Sequence, residues 1–375
     1  MNPWISFSLT LNGKTYANGQ LVELANELNK ALHKNWQRHL GNFIKSWISD
    51  SDEISVQTSG STGKPKLIRV KKSSMLASAA NTCQFFHLQP NQNALLCLDT
   101  EYISGMMMVV RAMLAKLNLI VVPPSKSPLK FLADSQKIHF ASMVGAQIHH
   151  SLIDETCRKF LNRMDTVIIG GSSISSYLEI ELIKSEGNFW CTYGMTETLS
   201  HVALRKISPH LPPNEYTALP GVHFDLDPRG CLIIHANYLP EPVITNDLVK
   251  LLDSSHFQWL GRWDFVINSG GIKIYPEELE NALSPYFHYP FFITSLSDEI
   301  KGEIPVLMVE YDQTPDEKTM NEWNKILSSV LPSKKKPQLI FTYPHFIYTS
   351  TGKIKRNQTL RQYLEKNYGK DFLSI

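Results

Sequence analysis

The densest concentration of phosphate-handling chemistry in the chain is Thr58-Ser59-Gly60-Ser61-Thr62-Gly63-Lys64-Pro65-Lys66, directly after the strand-like Ile54-Ser55-Val56. Glycines let backbone N–H groups crowd round an anion, hydroxyls add donors, and lysines add positive charge. So dense a run reads as a phosphate cradle rather than as a flexible surface loop. It is not a Walker-type loop, which needs four residues between its glycine and a Gly-Lys-Ser/Thr that opens a helix. Here the glycines stand closer together, and Pro65 takes the place of the magnesium-binding hydroxyl.

Further reactive groups follow downstream. Tyr193-Gly194-Met195-Thr196-Glu197 combines an aromatic ring, a hydroxyl and a carboxylate. Such a carboxylate can hold magnesium beside phosphate oxygens and neutralise charge during displacement at phosphorus. Thr245-Asn246-Asp247 by itself reads as a turn. Gly261-Arg262-Trp263-Asp264, running through Gly270-Gly271 to Pro276-Glu277-Glu278-Leu279-Glu280, is longer and more particular. Near the C-terminus, Thr349-Ser350-Thr351-Gly352-Lys353-Ile354-Lys355-Arg356 presents a lysine that alone would read as a surface residue.

In this order the motifs resemble those of the adenylate-forming superfamily of acyl-CoA synthetases, adenylation domains and luciferases, over residues 54–357. The resemblance implies an AMP-forming acid–thiol ligase that uses ATP, Mg2+ and coenzyme A. By it, Thr58, Ser59, Gly60, Ser61, Thr62, Gly63, Lys64 and Lys66 hold phosphates, and Gly171 and Ser172 form the turn before the nucleotide. Tyr193 and Gly194 lie near adenine, Thr196 meets the α-phosphate, and Glu197 holds the metal. Asp247 and Arg262 contact the ribose, Asp264 is the hinge of the C-terminal domain, and Gly270 and Gly271 swing in for thiol transfer. Lys353 is the matched catalytic lysine, a cation between the attacking carboxylate and the α-phosphate. The chain departs from the family pattern at Asn246, Ile347 and Thr351, where glycine, proline and serine are usual.

Three segments resemble the o-succinylbenzoate–CoA ligases of menaquinone biosynthesis: residues 102–111, residues 141–147 and residues 167–174. That substrate carries an aromatic ring, a keto group and two carboxylates, so its pocket needs an apolar wall and a cation for the carboxylate that does not react. Arg111 is the candidate cation, against a reading as a helix-surface arginine. Tyr102, standing where that family has histidine, and Ser200 with His201 are the other candidate acyl contacts; His201 equally reads as a structural histidine. Ligation of another acid, loading of a carrier protein, and a degenerate nucleotide binder are the alternatives. Intact Lys353, Glu197 and Asp247 argue against the last.

These residues need a scaffold. At 375 residues the chain exceeds the usual size of a single core, so two domains are expected. Short apolar runs such as residues 94–98, 119–122 and 166–171 read as buried strands, alternating with helical stretches after Ser73 and over residues 178–184. The expected architecture is a large α/β domain with a β-rich subdomain from about Leu219, ending at residue 262. A small mobile α+β domain then covers residues 263–375. A formal charge of +2 excludes the one-sided basic footprint of a nucleic-acid binder. The run at residues 334–336 is lysine throughout and could touch phosphates, though such a run usually marks a solvated face. Five scattered cysteines without metal-ligand spacing suit the cytoplasm, and no uncharged apolar run reaches bilayer length. Small-molecule acid and coenzyme A are the expected partners, with a homodimer possible.

Overall fold

Strands covered by helices on both faces must be apolar throughout, and five runs behave in this way. In a computed structural model that describes residues 3–30, 34–57, 67–171, 174–212, 214–349 and 354–369, they form a parallel array. Its spatial order is Asn118–Val121, Asn93–Leu96, Phe140–Val144, Thr166–Gly170 and Phe189–Gly194. Alternate side chains enter the cores on the two faces: Ala94, Leu96 and Phe140 on one side, Leu95, Cys97 and Ala141 on the other.

The chain leaves Asn93–Leu96 for Asn118–Val121 on one flank and returns to Phe140–Val144 on the other. Such a reversal opens a crevice at the carboxyl ends of an α/β sheet. Gln147 ties this crevice together. Its amide donates to the carbonyls of Cys97 at 2.9 Å and Ser125 at 3.0 Å, and its oxygen accepts from the Val144 N–H at 3.2 Å.

The helix Ile103–Ala115 returns the chain between the first two strands. It is apolar on nearly every side and buried from Gly105 to Met113, as a helix enclosed by other elements must be. The preceding loop folds so tightly on its first turn that a Cβ at Gly105 would lie 2.3 Å from the Asp99 carbonyl oxygen.

The β-rich stretch is not a separate sheet. After Phe189–Gly194 the chain reverses, and His201–Lys206 pairs antiparallel with it. Glu215–Ala218, His256–Arg262, Val243–Asp253, Cys231–Ala236 and Val222–Leu226 extend the same sheet, and Ser8–Leu11 with Lys14–Ala17 beyond Asn118–Val121 at the other edge bring it to thirteen strands among the described residues. The change of texture expected at about Leu219 thus begins at His201, because the reversal lets antiparallel strands hydrogen-bond directly to the parallel edge.

Beyond Arg262 a five-stranded sheet is built from Ile267–Ser269, Ile272–Ile274, Phe291–Asp298, Gly302–Glu310 and Leu339–Tyr343. The helices Pro276–Leu283, Glu317–Val330 and Arg356–Tyr368 accompany it. Buried clusters in residues up to Phe257 are distinct from those starting at Ile267. The strands Glu53–Gln57 and Leu67–Lys71 pair antiparallel on either side of the phosphate-cradle motif, which lies outside the described residues. Among the described residues no helix is long and apolar enough to cross a membrane.

The close approach at Gly105 makes a direct test. Gly105→Ala forces a methyl against backbone, an overpacking that costs about 1–3 kcal/mol. Urea unfolding should show a lowered midpoint, and an unchanged midpoint would mean that the loop before Ile103–Ala115 yields freely.

Candidate active site

The turn that reverses the sheet carries the chemistry. A Cβ at Gly194 would lie 2.3 Å from the Ser200 carbonyl oxygen, so only glycine admits this approach. Thr198 staples the turn: its hydroxyl oxygen accepts from the Met195 N–H at 2.9 Å and lies 2.8 Å from the Ser200 carbonyl. Leu199 takes φ +67°, a left-handed conformation uncommon outside glycine. Thr196 is buried as a result, while Glu197 is presented to solvent. One exposed carboxylate suits a magnesium ion, which keeps several waters and takes its remaining ligands from phosphates.

On one side of the turn, the Tyr193 hydroxyl donates to Asp247 Oδ2 at 2.7 Å. Burial, and then the Asp247 carboxylate, hold the phenol well above its ordinary pKa, so it stays a donor. The Tyr193 ring packs against Phe257 and Tyr216, with centroids 5.0 and 5.7 Å away. Asp247 faces Arg262 across the antiparallel pair of Val243–Asp253 and His256–Arg262. Arg262 in turn donates to Asp264 Oδ2 at 2.6 Å. Asn246, where the family pattern has glycine, donates to Asp264 Oδ1 at 3.2 Å and accepts from Arg229 at 2.9 Å.

On the other side, Arg111 is 2% exposed, and one of its terminal nitrogens donates to Ser200 Oγ at 2.6 Å. Its Nε has no partner, and among the described residues no carboxylate pairs with it. Burial pushes the guanidinium down to about 10, still protonated at neutral pH. Behind Ser200, His201 lies with Nε2 3.1 Å from Thr82 Oγ1 and Nδ1 3.3 Å from Ser200 Oγ. Burial, and then the Arg111 charge, hold the imidazole well below its usual pKa, so it is neutral.

The fold thus gathers Tyr193, Gly194, Thr196, Glu197, Ser200, His201, Arg111, Asp247, Arg262 and Asp264 round one turn and the strand ends beside it. Gly171, at φ +91°, follows the neighbouring parallel strand. Tyr102 stands at the N-cap of Ile103–Ala115, roughly 13 Å along the helix from Arg111 at 1.5 Å per residue. Gly270 and Gly271 form the left-handed tip of the hairpin Ile267–Ser269/Ile272–Ile274 in the second sheet. Residues 58–66, Ser172 and Lys353 lie outside the described residues. Sequence reasoning missed Thr82 and the aromatic wall of Tyr216 and Phe257. Periodicity places them in helix or strand, and nothing local ties them to a turn more than a hundred residues away in the case of Thr82.

This geometry, an α/β sheet whose carboxyl edge carries a tyrosine–aspartate pair and a solvent-facing glutamate, agrees with comparison to known proteins. Residues 22–226, more than half of the chain, match the family model described as AMP-binding enzyme. A 2-succinylbenzoate–CoA ligase of Salmonella typhimurium is 24% identical over 383 residues, covering 97% of this chain and 78% of that protein. The crystal structure of an acyl-CoA synthetase (AMP-forming)/AMP-acid ligase II-like protein from Dyadobacter fermentans is 33% identical with a TM-score of 0.60, covering 91% of this chain and 98% of that one. An O-succinylbenzoate coenzyme A synthetase from Bacillus subtilis, in complex with ATP and magnesium, has a TM-score of 0.75 at 15% identity, over 95% of this chain and 96% of that one. The fold is that of the adenylate-forming enzymes. The chain belongs to the AMP-binding enzyme family.

His201 gives the site a pH signature. Its pKa is depressed in the folded state, so the unfolded chain binds the extra proton first. Stability is therefore full above the unfolded value of about 6.5 and falls by up to about 1.4 kcal/mol per pH unit below it. Chemical denaturation at pH 7.5 and 5.5 should show this drop in the wild type and a shallower one in His201→Asn. Equal slopes would place the acid sensitivity elsewhere.

Proposed function

We propose that this chain is an ATP-dependent acid–thiol ligase that joins o-succinylbenzoate to coenzyme A through an acyl-adenylate, a step of menaquinone biosynthesis. The observation that carries the substrate reading is the buried Arg111 guanidinium, which has a hydroxyl partner in Ser200 and no carboxylate partner among the described residues. A buried charge left in this way is costly unless a ligand pairs with it. The non-reacting carboxylate of a dicarboxylic acid answers that requirement, while the buried methionines of Ile103–Ala115 supply apolar surroundings for the ring. The relatives named as 2-succinylbenzoate–CoA ligases support the same acid.

In this reading the reacting carboxylate attacks the α-phosphorus of ATP, pyrophosphate leaves, and the acyl-adenylate forms. Coenzyme A thiol then attacks the acyl carbon and AMP leaves. Tyr193 holds one oxygen of Asp247, leaving the other to accept from a ribose hydroxyl, with Arg262 beside it. Glu197 is placed to hold magnesium, which offsets charge on the phosphates when bound. Thr196 and the 58–66 loop position phosphates, and Lys353 bridges the attacking carboxylate and the α-phosphate. The segment from residue 263 onward turns about Asp264 between the half-reactions, keeping the mixed anhydride from water. The ligands ATP, magnesium and coenzyme A, and a cytoplasmic location, belong to this proposal.

Pyrophosphate release with Mg-ATP over a panel of carboxylic acids, with and without coenzyme A, tests it. Release is expected with o-succinylbenzoate and should vanish in Lys353→Ala. Arg111→Met should lower kcat/KM for o-succinylbenzoate roughly 10- to 100-fold, the worth of a charged hydrogen bond, and narrow the preference over benzoate. Release with other acids alone would overturn the substrate, and silence across the panel would overturn the ligase.

A further inference from the structure

Asn246 stands where the adenylate-forming pattern has glycine, and its side chain spans the junction of the two sheets. The amide nitrogen donates to Asp264 Oδ1 at 3.2 Å and reaches Oδ2 at 3.5 Å, while Arg262 donates to Oδ2 at 2.6 Å. Asn246 belongs to Val243–Asp253 in the large sheet, whereas Asp264 lies on the turn Trp263–Phe265, from which the second sheet starts. A glycine at 246 would offer Asp264 no such donor, so this bond is a property of the chain rather than of the motif.

The amide is held from behind in one orientation. Its oxygen accepts from Arg229 at 2.9 Å, and Arg229 is itself fixed by Asp227 Oδ2 at 2.7 Å and the Thr245 carbonyl at 3.1 Å. Turned over, the amide would set donor against donor at the guanidinium and acceptor against acceptor at the carboxylate. Acceptors and donors thus alternate from the acid Asp227 through Arg229 and Asn246 to Asp264 and Arg262. Arg229 also makes a second contact across the junction, its guanidinium carbon standing 6.0 Å from the centre of the Trp263 ring. At the far end Arg262 faces Asp247, the acid that Tyr193 holds. A hydrogen bond to a carboxylate is among the stronger kinds. The Asp264 side chain is 35% exposed, however, so water can replace the amide when the bond opens. Such a contact biases an equilibrium between two orientations without locking it.

We propose that Asn246 is a positioning residue that latches Asp264, and with it the segment from residue 263 onward, in this orientation, so that the segment turns only when the Asn246–Asp264 bond opens. The part this opening plays in turnover rests on the ligase reading; the latch does not. Arg229 serves it indirectly, by aiming the Asn246 amide.

Hydrogen exchange of the full-length protein, read by mass spectrometry, tests the latch in the wild type, Asn246→Ala and Asn246→Asp. The reporter is the junction, where the Val266 N–H donates to the Trp263 carbonyl at 3.3 Å, and the strand Asn93–Leu96 is the internal control. Exchange at the junction should rise roughly two- to tenfold in Asn246→Ala, the worth of one net hydrogen bond in water. It should rise further in Asn246→Asp, which sets a second carboxylate against Asp264, while the control strand stays unchanged. No rise at the junction, or an equal rise in the control, would overturn the latch. In an Asp264→Ala background Asn246→Ala should add nothing; an undiminished effect would mean that Asn246 acts on its own strand instead. Acyl-adenylate formation, followed as ATP–pyrophosphate exchange with o-succinylbenzoate, and single-turnover transfer to coenzyme A should then separate. In Asn246→Ala the half-reaction that needs the turned orientation accelerates, and the other is unchanged or slower. Acceleration of both, or of neither, would overturn the role in turnover. If the wild type shows no pyrophosphate exchange the ligase reading fails, and hydrogen exchange alone still decides the latch.

Discussion

One close approach organises the site. The backbone of Gly194 lies against the Ser200 carbonyl with no room for a Cβ, and this contact lets the sheet turn from parallel to antiparallel within a few residues. A parallel array ends in a crevice, whereas an antiparallel extension supplies rigid side chains beside it. With both arrangements meeting at one turn, Tyr193 faces the antiparallel strands and Ser200 faces the helix Ile103–Ala115. The pairs Tyr193–Asp247 and Ser200–Arg111 are thus held by opposite ends of the same eight residues.

The buried charges on the two sides are handled differently. The Asp247 carboxylate accepts from the Tyr193 hydroxyl, and the Asp247 backbone N–H donates to Thr245 Oγ1 at 3.0 Å. Arg111 is satisfied only in part, by a hydroxyl at 2.6 Å and a methionine sulfur at 3.8 Å. A neutral His201 behind Ser200 adds no second positive charge, since burial and Arg111 together keep its proton off. The arrangement preserves one cation, and among the described residues no carboxylate pairs with it.

The sequence disclosed the parts whose physics is local. Doubly covered strands are continuous apolar runs, so Asn93–Leu96, Asn118–Val121 and Thr166–Gly170 stand close to where residues 94–98, 119–122 and 166–171 place them. Motif order gave the family, because each motif is a short string with its own backbone demands. Pairing between distant residues was not legible. That Arg111 meets Ser200, 89 residues away, or that His201 meets Thr82, 119 away, depends on which strand lies beside which helix. For the same reason the antiparallel strands were assigned to a subdomain of their own. Asn246 stood out as a departure, but its hydrogen bond to Asp264 depends on the hairpin that brings residues 246 and 264 together.

The junction of the two sheets shows how a boundary can be firm without a shared apolar core. Gly261 adopts φ +151°, and a Cβ there would sit 2.8 Å from Glu277 Oε2, so the helix Pro276–Leu283 comes directly against the last strand of the large sheet. Glu277 is buried with that oxygen unpaired, and burial pushes its carboxyl up to about 7 against the pull of Arg356. Arg356 is committed mainly to Glu280, at 2.7 Å, and stacks 4.7 Å over Phe265. Burial outweighs the pull of this one guanidinium at both carboxylates, so Glu280 as well as Glu277 sits above its ordinary pKa. The same arginine anchors the chain just after residue 353, while the Lys355 N–H donates to the Ile347 carbonyl at 2.7 Å on the near side. Through Glu277 the helix Pro276–Leu283, and with it Arg356, thus meets the strand that ends in Arg262 in a polar, partly charged contact.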